Sequence, residues 1–234
     1  VTSATSSRGI IHFGAATLVL VGGVSAAAMH FPGGYDWIYM VVSKLGSRSH
    51  NPTGALWLSG SLLIAVCLLW PVTTLLAKGG SGPSGSPRFA VAALRIGLLG
   101  GGLLALEGAF ALELSRLARK GHEVVALLTF LGLYTGVLGL YVTRLRQRLR
   151  SAWPALMVVV PLCAVALSQI TLYFDQRDLG WVNTGWREMG IPFWLSFAFW
   201  QWSAIALLGA GLGYLIAFGS SAVGAEPAGK GRPN

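Results

Sequence analysis

Long apolar stretches alternate with short polar ones along the whole chain. Residues 10–29, 53–77, 89–112, 122–145, 153–174 and 193–218 each run for about twenty residues or more with few charges. A helix rising 1.5 Å per residue needs about that length to cross ~30 Å of hydrocarbon. Inside lipid a backbone must satisfy its own hydrogen bonds, and a helix does so within one segment. The pattern predicts an all-α fold, a polytopic bundle of six transmembrane helices. Residues 1–218 form a single domain in this reading, and 219–234 a short flexible tail. The first stretch also has the outline of a signal peptide, with Arg8 ahead of it and Ser25-Ala26-Ala27-Ala28 near its end. We read it as a retained helix.

Composition strengthens the membrane reading. The chain is 54% hydrophobic and 11% charged, against about 25% charged in a typical soluble domain. Polar surface is too scarce to cover a water-facing globule. The net charge of +9 does not point to nucleic acid, because no water-soluble segment mixes dense Lys/Arg with stacking aromatics. The basic residues instead flank the apolar runs, where they set orientation. Arg144, Arg146, Arg148 and Arg150 follow the fourth stretch, and Lys78 and Arg88 bracket a Gly/Ser/Pro-rich linker. Arg8, Lys230 and Arg232 sit near the termini. With six spans all of these fall on one side, which places both termini in the cytoplasm. Arg116, Arg119 and Lys120 run against that rule. Trp37, Trp57, Trp181, Trp186 and Trp194 gather at the proposed outer interface, and Trp70 and Trp153 at the inner one.

Packing is legible too. Gly97/Gly101, Gly132/Gly136 and Gly209/Gly213 are GxxxG pairs, whose missing side chains allow helix backbones to approach. Pro71 and Pro161 lie inside spans and predict kinks. Cys67 and Cys163 have no CxxC-type partner and read as small buried apolar side chains.

Candidate chemistry collects on the outer side. Phe31-Pro32-Gly33-Gly34-Tyr35-Asp36-Trp37 is a tight turn leading into a short interfacial helix, with Asp36 as its N-cap and Ser43 within it. Asn51-Pro52 opens the second span. Glu107 is an ionisable group in an apolar run, which belongs in the bundle interior or in a wet cavity. His122 opens span four, and Gln169 and Gln201 lie in the outer parts of spans five and six. Asp36, Trp37, Ser43, Glu107, His122, Gln169, Trp200 and Gln201 are therefore the candidate ligand-binding set. The alternative is that these side chains only tie helix ends to the outer loops. Ser43, His122 and Asp36 also supply a nucleophile, base and acid by type, but no nucleophile elbow surrounds Ser43, so catalysis is not expected. His12, His30, His50 and His122 are scattered and no HExxH occurs, so neither a metal nor a haem or pigment cofactor is expected.

The Phe-Pro-Gly-Gly-Tyr-Asp-Trp segment, the following Val-Ser-Lys-Leu-Gly, Asn51-Pro52, and Gly190-Ile191-Pro192-Phe193-Trp194 with Phe199-Trp200-Gln201-Trp202 resemble a family of uncharacterised bacterial six-span membrane proteins. That family is similar to the damage-regulated autophagy modulators and the GPI-lipid remodelling proteins. The resemblance covers the first outer loop through span six and includes Ser43, Leu45, Gly46 and His122. Gln201-Trp202 departs from the Glu-Trp common in relatives, which removes an ionisable group. It implies a bacterial inner membrane location and a lipid-related role. The expectation is a non-catalytic membrane protein with an outward-facing polar and aromatic pocket for a lipid or other amphiphile. Its partners would be membrane lipids. An accessory subunit docking to other membrane proteins, and a membrane-embedded lipid hydrolase or transferase, are the alternatives.

Overall fold

A computed structural model describes residues 2–78, 87–110, 121–147, 157, 159–161, 163, 164, 167, 190 and 192–218. Among these residues there is no strand. In chain order the helices are α1 (Thr2–Met29), α2 (Val42–Gly46), α3 (Ala55–Lys78), α4 (Arg88–Phe110), α5 (Gly121–Gln147), the 3-10 helix Phe193–Leu195 and α6 (Phe197–Phe218). Segments of α1, α3, α4, α5 and α6 are long and apolar enough to cross a membrane. These five helices mark the chain as a multi-pass membrane protein. Of the predicted span 153–174, residues 157, 159–161, 163, 164 and 167 are described and helical; the remainder lies outside the described residues. The predicted tail 219–234, Arg116, Arg119, Lys120, Trp153, Trp181 and Trp186 also lie outside them.

Neighbours in the bundle pair in the order α1–α3–α4–α5–α6, and α6 returns to α1. The core lies between them, with Leu94, Tyr134, Val137, Leu140, Tyr141, Val72 and Leu215 buried together. The outer faces are no less apolar than the core. Leu18 is 76% exposed and Phe89 73%, and Ile96, Leu99 and Leu103 continue a bare stripe along α4. Contiguous apolar stripes of this kind are a liability in water and the normal covering in lipid.

The α4–α5 pairing is the closest, and its cause is glycine. A Cβ on Gly97 would come within 2.6 Å of the Leu133 backbone nitrogen, and one on Gly132 within 2.6 Å of Gly97 N. Gly136 abuts the Leu94 backbone in the same way, at 2.7 Å. Without those side chains the two backbones touch, which supplies dispersion contacts where expulsion of water supplies none. The third predicted pair divides. Gly213 admits the Phe13 ring of α1 at 2.8 Å, whereas Gly209 has no neighbour within 4 Å among the described residues.

Three expectations are corrected in detail. The last apolar run is not one helix, because Ser196 interrupts it. Its backbone is extended, its hydroxyl bonds the Ile38 carbonyl, and its carbonyl accepts from Trp200 N at 3.3 Å, the pattern of an N-cap. The interfacial helix is confined to Val42–Gly46, and Asp36 instead closes a turn, its Oδ1 accepting from Ile38 N at 2.9 Å and Tyr39 N at 3.2 Å. Cys67 and Cys163 are exposed on outer helix faces rather than buried. On α3 the thiol shares a lipid-facing stripe with Ile64 and Trp57, and a small polarizable group loses nothing there. Pro71 lies inside α3, which runs on to Lys78.

Candidate functional site

One end of the bundle gathers the C-termini of α1 and α4, the N-termini of α3, α5 and α6, and all of α2. Asn51 fixes that end. It is fully buried, its Nδ2 donating to Ala27 O at 2.9 Å and Leu45 O at 3.1 Å while its Oδ1 accepts from Gly54 N at 3.0 Å. One side chain thus joins α1, α2 and the start of α3. Gln201 of α6 anchors the other end of α2, its Oε1 accepting from Val42 N at 3.0 Å. Gly108 permits α2 to lie against α4, since a Cβ there would meet Gly46 O at 2.7 Å.

Beneath α2 lies a cavity of about 510 Å³. Ser43, Lys44 and the polar run Ser47-Arg48-Ser49-His50 line it from above, with Glu107 of α4, His122 of α5 and Gln201 of α6. One to two turns further into the bundle the lining becomes Leu58, Leu62, Leu104, Ala126, Phe130 and Ile205. Between His122 and Phe130 that descent is about 12 Å at 1.5 Å per residue.

A short polar contact in the cavity joins α4 and α5. His122 Nδ1 donates to Glu107 Oε2 at 2.6 Å, and Glu107 is the more enclosed, with its side chain 16% exposed against 38% for His122. A carboxylate only accepts, so the proton on this imidazole edge is fixed by its partner. Arg48 sits at the rim with Nη2 donating to Ala109 O at 2.6 Å and Nε to Gly108 O at 3.3 Å. It thereby ties the segment after α2 to the last described turn of α4 and places a cation beside its carbonyls.

Of the eight predicted ligand-binding residues, the structure brings Ser43, Glu107, His122 and Gln201 to one cavity. Three others stand apart. Asp36 is turned to the backbone of its own turn. Trp37 packs edge-on to Tyr35 and Trp202, with ring centroids 4.9 and 5.0 Å away. The Trp200 indole donates to Trp194 O at 2.6 Å. Gln169 lies outside the described residues. Burial pushes the Tyr35 phenol up to about 12, with the Trp202 indole opposing and the Asp36 carboxylate adding to the rise.

Sequence reasoning did not place Lys44, Arg48, His50, Ser59 or Phe130 at the site. The polar run 47–50 between two apolar stretches was an available signal for the first part of that set; Ser59 and Phe130 read as ordinary span residues. Ser43 and His122 share the cavity without a hydrogen bond between them among the described residues, and Asp36 is engaged elsewhere. That arrangement does not assemble a nucleophile, base and acid in hydrogen-bond reach. Among the described residues no group of three His, Cys, Asp or Glu side chains is placed to hold a metal. Compared with known protein families, curated proteins and solved structures, the chain finds no match.

Proposed function

We propose that this protein is a six-span membrane protein that binds a lipid or related amphiphile, without catalysis, in the cavity beneath α2. Both termini lie in the cytoplasm and the cavity opens toward the outer face of the cell membrane. The observation that carries the reading is the gradient along the cavity. Glu107, His122, Ser43 and Gln201 stand at the α2 end, and Phe130, Leu62, Leu104 and Ile205 lie deeper among the helices. An amphiphile held with its headgroup at interface level presents the same order of polar and apolar parts. The volume of about 510 Å³ falls within the range of small-molecule sites, roughly 300–1,000 Å³. It is large enough for a headgroup and the first part of a chain. The family resemblance at the α2 loop and the last span favours a lipid-related role as well.

Filling the cavity tests this. Ala126→Trp adds an indole to the lining, and native mass spectrometry of protein purified in mild detergent then counts retained lipid. The expected result is bound lipid on the parent protein and its loss in the variant, with thermal stability kept. Equal retention by both proteins refutes the reading.

A further inference from the structure

We propose that the amphiphile's headgroup is anionic, a phosphate ester or a carboxylate, and that Lys44 selects it; the inference rests on the cavity being an amphiphile site. Among the described residues two cations, Lys44 and Arg48, line the cavity against a single carboxylate, Glu107. That carboxylate is already taken up by His122 at 2.6 Å. With both lining imidazoles, His50 and His122, neutral the described lining carries one excess positive charge, and each adds one more when protonated.

Arg48 is committed to the carbonyls of Gly108 and Ala109, which hold its guanidinium at the rim without cancelling its charge. Lys44 differs. Among the described residues its ammonium has neither a hydrogen-bond nor an ion-pair partner. It is also not on a loose segment. Leu45 beside it is fully buried, and α2 is fastened at Val42 by Gln201 and at Leu45 O by Asn51. Lys44 is half-buried on a fixed backbone and lines the cavity beside Ser43, with no acceptor for its ammonium among the described residues, whereas Ser47 Oγ is engaged by Ser49 Oγ at 2.7 Å and His50 Nδ1 at 3.1 Å. Anionic oxygens supply that acceptor through charge-assisted bonds. A choline or ethanolamine headgroup sets its own cation among Lys44 and Arg48, and that repulsion supplies the selection.

The test compares phosphatidylglycerol with phosphatidylcholine of the same acyl chains. Each is offered to the delipidated full-length protein in maltoside detergent and read by native mass spectrometry. The parent protein retains the anionic lipid about five-fold better, the effect of one interfacial cation. In Lys44→Gln the preference falls to near parity while total bound lipid remains, and Lys44→Arg keeps it. Equal retention of both lipids by the parent protein, or an unchanged preference in Lys44→Gln, overturns the inference and leaves the amphiphile site standing. Unchanged lipid retention in Ala126→Trp removes the site itself. Glycerol phosphate distinguishes a lipid headgroup from a soluble anion. Failure to displace the lipid at equal concentration supports the amphiphile, and full displacement overturns it in favour of a free phosphate ester.

Discussion

Helices α4 and α5 run side by side in two different ways. Toward their Arg88 and Gln147 ends they touch backbone to backbone, with Gly139 against Ala90, Gly136 against Leu94 and Gly132 against Gly97. Toward the α2 end the same seam carries Gly100 against Thr129 and, past Leu104 and Ala126 on the cavity wall, Glu107 against His122. The register is continuous, so the contrast is one of side chains and not of helix path. Where a side chain is deleted the helices seal. Where the long polar side chains of Glu107 and His122 meet, they span the seam and a cavity lies beside them. One seam therefore serves as both the rigid spine of the bundle and one wall of its binding site.

The comparison breaks first at the glycines. Gly132→Leu forces a side chain onto the Gly97 backbone and is expected to cost about 3 kcal/mol or more, at the upper end of overpacking. Reversible denaturation in mixed micelles measures it. Gly102→Ala on the outer face of α4, with nothing within 4 Å among the described residues, is the contrast. It should change stability by less than about 1 kcal/mol, on the stabilising side, through helix propensity alone. Equal losses at the two positions would show that no close seam exists.

Asn51→Ala comes next, at about 2–3 kcal/mol, because it strands buried carbonyls of Ala27 and Leu45 as well as the Gly54 amide. It should loosen α2 and lower lipid retention while sparing the glycine seam, which cysteine accessibility at engineered positions on α2 and α4 can separate. Smaller still is the polar rung. Glu107→Ala is expected to cost about 1–2 kcal/mol, and a double-mutant cycle with His122→Ala should recover a coupling of about 1 kcal/mol. Additivity of the two substitutions would mean the contact adds nothing to the seam.

The smallest effect lies in the turn beside the cavity. Because burial raises the Tyr35 phenol to about 12 from an ordinary 10, its contribution to stability is complete below pH 10 and is lost as pH rises toward 12. The fluorescence of Trp37 and Trp202, both packed on this ring, should report a shift over that interval that Tyr35→Phe abolishes.

Much of the fold was legible because lipid imposes a length and a composition on every span. The bounds of α3 and α4 agree with the apolar stretches to within two residues wherever both are described. The seam was legible as GxxxG on two helices, although Gly101 proves peripheral, with Thr129 Cγ2 no closer than 3.8 Å to its added Cβ. Half of the candidate site was legible for a different reason. An ionisable Glu107 in an apolar run needs a polar partner, and His122 opens the following span at the same level.

Hydropathy could not show which polar groups face one another. Asp36 and Ser43 are seven residues apart in one loop, and only the turn that Asp36 closes on Ile38 and Tyr39 separates it from the cavity that Ser43 enters. Arg48 and Gln201 reach Ala109 and Val42 across long stretches of sequence. The sequence by itself determined that the chain lives in a membrane and where its helices run, since solvent acts on each segment separately. Tertiary structure alone decided that α2 folds over a cavity and leaves Lys44 facing it. That arrangement depends on contacts between segments, and no single segment encodes them.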